Sequence, residues 1–243
     1  MFGGVGLGAA LAGMLCLLFL ALGWSADQAW LALSVVALLA AAIVWPVYRD
    51  ASEAAPAQQT GSAHLKSARS RENARLIVCY GCSGFGYIIP ATFLPVMARQ
   101  VIRDPAVFGW SWPVFGAAAM GSTLAVAALR SFMSNRRLWI VSHVVMALGI
   151  ALPVVWPSIV AIMLAGLLVG GTFMVVTMVG MQEARSVAGA RATGLMAALT
   201  SAFALGQIAG PLVVSYVVAA GGGFSAALLV AGTVLLLSAY ELS

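Results

Sequence analysis

The chain has 243 residues, of which 63% are hydrophobic and only 8% charged, with a mean hydropathy of +1.04 and a formal net charge of +5. A soluble domain of this length needs far more charge to cover its surface, so that class is excluded. The apolar residues run in long blocks, which excludes the short alternating segments of a transmembrane β-barrel, and the basic residues are dispersed at block ends, which argues against a nucleic-acid partner.

A block of about 20 apolar residues matches a helix crossing ~30 Å of hydrocarbon. The blocks predict an all-α polytopic membrane protein with eight transmembrane helices, at 3–23, 29–48, 76–98, 109–129, 138–156, 158–180, 194–216 and 224–240. The first span starts almost at Met1 without a positively charged leader and is longer than a signal-peptide core, so cleavage is not expected. Residues 49–75, rich in Ala, Ser, Gln and charge, read as a flexible cytoplasmic linker. The spans are thus grouped two, then six: 1–48 a two-helix segment, 49–75 the linker, and 76–243 a six-helix half.

Ten of the twelve Lys and Arg fall in alternate connections: Arg49, Lys66, Arg69, Arg71, Arg75, Arg130, Arg136, Arg137, Arg185 and Arg191. The other two, Arg99 and Arg103, lie in a connection of the opposite set. The positive-inside rule then puts both termini in the cytoplasm. All seven tryptophans (Trp24, Trp30, Trp45, Trp110, Trp112, Trp139 and Trp156) lie near predicted span ends, where an indole ring is apolar and its N–H can reach water.

Many transporters are built from two six-span halves joined by a cytoplasmic linker. On that template the two leading spans are helices five and six of a truncated first half, spans three to eight are the complete second half, and the first four helices are expected to be missing from this chain. The first and seventh spans would occupy equivalent positions. The first begins Gly3-Gly4-Val5-Gly6-Leu7-Gly8 and continues to Gly13, the seventh contains Gly206-Gln207-Ile208-Ala209-Gly210-Pro211, and both carry small residues four apart, a spacing that allows close helix contact.

Four stretches carry a family resemblance: Tyr80-Gly81-Cys82-Ser83-Gly84-Phe85-Gly86-Tyr87-Ile88-Ile89-Pro90-Ala91-Thr92-Phe93-Leu94-Pro95, Gly109-Trp110-Ser111-Trp112-Pro113-Val114-Phe115-Gly116, Gln182-Glu183-Ala184-Arg185 and Gly206-Gln207-Ile208-Ala209-Gly210-Pro211. Together they resemble the YbfB/YjiJ-type branch of the major facilitator superfamily, over nearly the whole chain. The resemblance implies a partial major-facilitator fold in a bacterial plasma (inner) membrane, and a secondary transporter of a small molecule. It implies that the third span lines a central cavity and moves in alternating access, and that the sixth span faces the same cavity. The superfamily's cytoplasmic signature has a counterpart in Arg130-Ser131-Phe132-Met133-Ser134-Asn135-Arg136-Arg137, which keeps the basic pair but has no acid.

Tyr80, Ser83, Gly84 and Tyr87 are spaced i, i+3, i+4, i+7 and share one face of the third span. Hydroxyls facing lipid are costly, so this face points into protein or a cavity. Two accounts stand for them: substrate contact, or bonding to backbone and neighbouring helices. The same pair of accounts holds for Thr172 and Thr177 in the sixth span and for Gln207, which shares a face with Thr200, in the seventh. Gly84, Gly86 and Pro90, and Gly170 and Gly171, are candidate hinges, since Pro removes an N–H donor and Gly lowers resistance to kinking.

His143 is the one ionisable group within a span apart from Cys and Tyr, and is the candidate for proton linkage. It lies about one and a half turns from the expected cytoplasmic end, where an interfacial or hydrogen-bonded ring is the alternative. Glu183 and Arg185 are expected to form an ion pair at a helix end. Cys79 and Cys82 form C-x-x-C inside an apolar helix without a second ligand pair, so neither a metal nor another cofactor is expected. Ser142 and His143 are adjacent and point to different sides of a helix, and no carboxylate pair lies in a span, so no enzyme activity is expected. The expected partners are the lipid bilayer, a small-molecule substrate and, left open, a coupling proton or ion. The alternative function is a truncated, non-transporting membrane remnant or a protein that pairs with other helices.

Overall fold

The structure, a computed structural model, describes residues 3–53, 67–101, 109–129 and 132–243. Among these the chain is helical without strands: α1 (Gly3–Ala21), α2 (Ala26–Glu53), α3 (Ser67–Val101), α4 (Ser111–Leu129), α5 (Asn135–Val155), α6 (Ile159–Ala188), α7 (Ala192–Ala219) and α8 (Gly223–Leu242). Six stretches of the described residues are long and apolar enough to cross a membrane. One of them, Ile159–Ala219, covers both α6 and α7, which a three-residue 3-10 turn at Gly189–Arg191 separates. The helices α2 and α3 reach beyond the expected spans at both sides of the linker, and linker residues 54–66 lie outside the described residues.

Local chemistry sets the helix starts. Ser25 and Gln28 form a reciprocal capping box at α2: Ser25 N donates to Gln28 Oε1 at 2.9 Å, and Gln28 N donates to Ser25 Oγ at 3.4 Å. Ser134 caps α5 by accepting from Arg137 N, and Ser158 caps α6 by accepting from Ala161 N. The helix α6 ends at Gly189, whose φ of 56° is a left-handed turn suited to glycine.

The bundle packs α3 against α7 and α8, α5 against α6 and α8, and α4 between α1 and α6. The helix α2 rests lightly on α1 and has no buried residue in its apolar stretch. Two layers of buried side chains fill the interior. One, around Leu76, Tyr80, Leu138, Trp139, Val176 and Leu199, lies at the end where α3 and α5 begin. The other, around Ile89, Phe115, Met146, Ile150, Leu228 and Leu235, lies toward the opposite end.

Two helix pairs approach at backbone distance because glycines meet there. Between α1 and α4, a Cβ on Gly6 would fall 2.8 Å from Gly116 O, and one on Gly116 would fall 2.7 Å from Gly6 O. Between α3 and α7, a Cβ on Gly84 would run into Phe203 O, and one on Gly206 into Gly81 O. Such contacts replace the hydrophobic drive that lipid does not supply. In α1 the small residues at the contact are Gly6 and Ala10, four apart and both against Gly116, together with Gly13 against Pro113, while Gly4 and Gly8 face open space.

Candidate functional site

The face of α3 singled out by its hydroxyls is turned into the bundle. Tyr80 is 2% exposed, with its ring against Gly180 of α6 and edge-on to Trp139 of α5. Ser83, 1% exposed, donates to the carbonyl of Cys79 at 2.9 Å, one turn back, and its Oγ lies 2.8 Å from His143 Nε2.

His143 has no exposed surface. Trp139 Nε1, one turn earlier on α5, donates to the same His143 Nε2 at 3.0 Å. An indole N–H only donates, so Nε2 accepts and the ring proton of a neutral imidazole sits on Nδ1. That Nδ1 is buried and has no hydrogen-bond partner among the described residues. The Ser83 hydroxyl has one proton, shared between Cys79 O and Nε2. Ser83, His143 and Trp139 therefore form a closed polar node tying α3 to α5. The hydrogen-bonded reading of His143 matches this geometry, with the ring enclosed within the bundle.

Trp139 corrects the expectation for indoles at span ends. It is wholly buried, and its N–H meets His143 instead of water. The spacing Trp139-x-x-x-His143 carries the signal, because i and i+4 side chains meet on a helix. Cys79 lies in the same layer, with its thiol 3.8 Å from Ser238 O of α8, and the three cysteines are free.

The threonines of α6 bond back to their own helix. Thr172 Oγ1 donates to Leu168 O at 2.7 Å and Thr177 Oγ1 to Phe173 O at 3.1 Å. Gln207 is half-buried, and its amide has no hydrogen bond among the described residues. The candidate hinges lie in helices that run unbroken through them. Gly84 and Gly170 are close-contact positions: a Cβ on Gly170 would lie 2.6 Å from Phe115 O. Gly86 fits against the Leu235 side chain, whereas Gly171 faces open space. Pro90 is buried beside a cavity of about 30 Å³ between α3, α4 and α6, large enough for one or two waters. The Ser111 hydroxyl on that cavity is buried without a partner among the described residues.

A second aromatic group lies one to two turns further along α3. Tyr87 stacks on Phe173 of α6, with centroids 4.1 Å apart and planes 13° from parallel. Phe115 of α4 lies 6.2 Å from both rings, and Phe203 of α7 lies 6.3 Å from Tyr87 and 6.5 Å from Phe173. The three phenylalanines carry no reactive group, so nothing in the sequence separates them from ordinary membrane-helix residues.

At the end of the bundle where α3 and α5 begin, Arg136 of α5 binds two carboxylates. Its Nε donates to Glu183 Oε1 of α6 at 2.7 Å, and its Nη2 pairs with Glu72 of α3. Glu183 thus pairs with Arg136 and not with Arg185, which is exposed. Arg136, one of the basic pair that lacked an acid in its own stretch, finds acids on two other helices, which no local spacing reveals.

No protein of curated function matches the sequence. A family model described as "Uncharacterised MFS-type transporter YbfB" matches residues 1–242.

Proposed function

Because the chain belongs to the family of MFS-type transporters of the YbfB type, we propose that it is a secondary transporter of a small molecule that works by alternating access. The membrane-spanning character and the transport class follow from the family and the long apolar helices. The proposal adds eight crossings, with α6 and α7 as separate spans, the two-helix and six-helix division at the linker, and cytoplasmic termini in a bacterial inner membrane. The alternation of basic connections supports that orientation.

The observation that carries the reading is the character of α3. One face of this helix buries Tyr80 and Ser83 against α5 and α6, and then, one to two turns on, presents the half-buried Tyr87. The helix touches α7, α8 and α6 and begins at the Glu72–Arg136–Glu183 ion pairs. A helix tied at one end by ions, held midway by the Ser83–His143–Trp139 node and carrying Gly86 and Pro90 beyond it is suited to bend beyond the node. In this reading Tyr87, Thr172, Thr177 and Gln207 face the transport path, while Tyr80, Ser83 and His143 position α3. Gly84, Gly86, Pro90, Gly170 and Gly171 remain the proposed flexible points.

Comparing solutes inside and outside bacteria with and without the gene, by mass spectrometry, tests the reading. A solute whose distribution shifts with expression, and returns when Tyr87 is changed to Ala, supports it. An unchanged profile across the solutes measured, with the protein present in the membrane, would sink it.

A further inference from the structure

We infer that the Tyr87–Phe173 stack, flanked by Phe115 and Phe203 and edged by Gln207, binds an uncharged planar aromatic solute bearing one hydrogen-bonding group. As a statement about cargo, this rests on the transporter reading above.

Four different helices, α3, α4, α6 and α7, each send one aromatic ring to the same place: Phe115 and Phe203 each lie 6.2–6.5 Å from both members of the Tyr87–Phe173 stack, whose centroids are 4.1 Å apart. Rings that only fill a core are closed over. Here Phe115 is buried, but Tyr87, Phe173 and Phe203 keep part of their surface exposed. Offset stacking of a further ring onto such a group gains contact area with little loss of side-chain freedom, since each ring has two torsions.

Two polar groups border the rings. Gln207 lies one turn from Phe203 on α7, on the same flank of that helix. Its amide and the Tyr87 hydroxyl form no hydrogen bond among the described residues. An amide left unpaired at mid-membrane costs several kcal/mol, so Gln207 needs a polar partner from outside this set of helices. A single hydrogen-bonding group on a ligand stacked at Phe203 satisfies that requirement.

Charge narrows the class. No Asp, Glu, Lys or Arg occurs in the interior of any expected span, and the Arg136 ion pairs lie about four turns away along α3, between Glu72 and Tyr87. A charged ligand would lose its hydration there without a counter-charge from these helices.

The test uses the full chain in lipid nanodiscs with indole as the probe, its binding followed by saturation-transfer NMR and competition. Saturable indole binding is expected, weakened about tenfold, or ~1.4 kcal/mol, by Phe173→Ala or Phe203→Ala. Phe173→Leu keeps volume and removes the ring, and should weaken it similarly in a protein of unchanged thermal stability. Gln207→Leu should erase the preference for indole over naphthalene. Tyr216→Ala, on the outward side of α7 at 77% exposure, should leave binding unchanged. Indole binding that is non-saturable, or equal in wild type and Phe173→Leu, would overturn the inference, as would tighter binding of benzoate or tryptamine than of indole. A non-aromatic solute moved in cells equally by wild type and Phe173→Leu would also overturn it while leaving the transporter reading intact. Saturable indole binding lost in Phe173→Leu, with no solute moved in cells, would leave the aromatic site standing and remove the transporter reading.

Discussion

At the scale of single residues, most hydroxyls buried in these helices bond to backbone carbonyls, and His143 is the buried ring that bonds to other side chains. His143 Nε2 receives Trp139 N–H and lies against Ser83 Oγ, while Nδ1 is left without a partner among the described residues. This predicts an order of costs. Trp139→Phe keeps a large ring but removes the sole donor that Trp139 supplies, and should lower stability by about 1–2 kcal/mol. Ser83→Ala should cost less, because the Ser83 proton is already shared with Cys79 O. Thermal unfolding in detergent, followed by size-exclusion of the surviving protein, ranks the two. A larger loss for Ser83→Ala would contradict the proton assignment. His143 was legible as the one histidine of the apolar spans, and Trp139 as an indole near a span end. Their i, i+4 spacing allows the pairing, but their burial was not legible, because it depends on α3 closing over α5 and removing both from water.

At the scale of elements, glycine positions divide by what faces them. A Cβ at Gly84 would run into the Phe203 carbonyl, so Gly84→Ala must push α7 from α3 and should destabilise by about 1–3 kcal/mol. Gly8 and Gly171 face open space, and Ala there should change stability by less than about 0.5 kcal/mol. The same unfolding measurement checks the contrast, and equal losses at Gly84 and Gly8 would refute the packing account. The ion pairs are an element-scale feature too, since Arg136 joins the ends of α3, α5 and α6. Removing its charge with Arg136→Gln leaves Glu72 and Glu183 without their common cation. The expected loss is about 1–2 kcal/mol, between that of an exposed pair and that of a buried one. Glu72→Gln should cost less, since Arg136 and Glu183 remain joined. Small residues four apart were readable in α1 and α7, and which of them meet α4, Gly6 and Ala10 with Gly13 beyond, was set by the face that α1 turns to it.

At the scale of the whole molecule, the proposed orientation places the α6–α7 turn and the α7–α8 turn on opposite sides of the bilayer. In a variant with Cys16, Cys79 and Cys82 replaced by Ala, Ala190→Cys should react with a membrane-impermeant maleimide from the cytoplasmic side only. Gly222→Cys should react from the outer side only. Labelling of both from one side would overturn the alternation. The long apolar blocks, the alternating charges and the family were all readable along the chain, since each is a property of composition over stretches about 20 residues long. The aromatic group was not readable, because Phe115, Phe173 and Phe203 are far apart in sequence and chemically plain.

The sequence by itself determined the solvent this protein lives in, the helical class and the family. Those depend on how many apolar residues stand together, and hydrocarbon accepts a helix on that criterion alone. The tertiary structure decided which polar groups satisfy each other. Arg136 takes its acids from α3 and α6, His143 takes its donor from Trp139, and three other helices bring their rings to Tyr87. In lipid no water is present to satisfy a polar group, so Thr172 and Thr177 bond back to their own helix and His143 to Trp139 one turn earlier, whereas a partner on another helix, such as Ser83 for His143, is set by packing and not by neighbourhood in the chain.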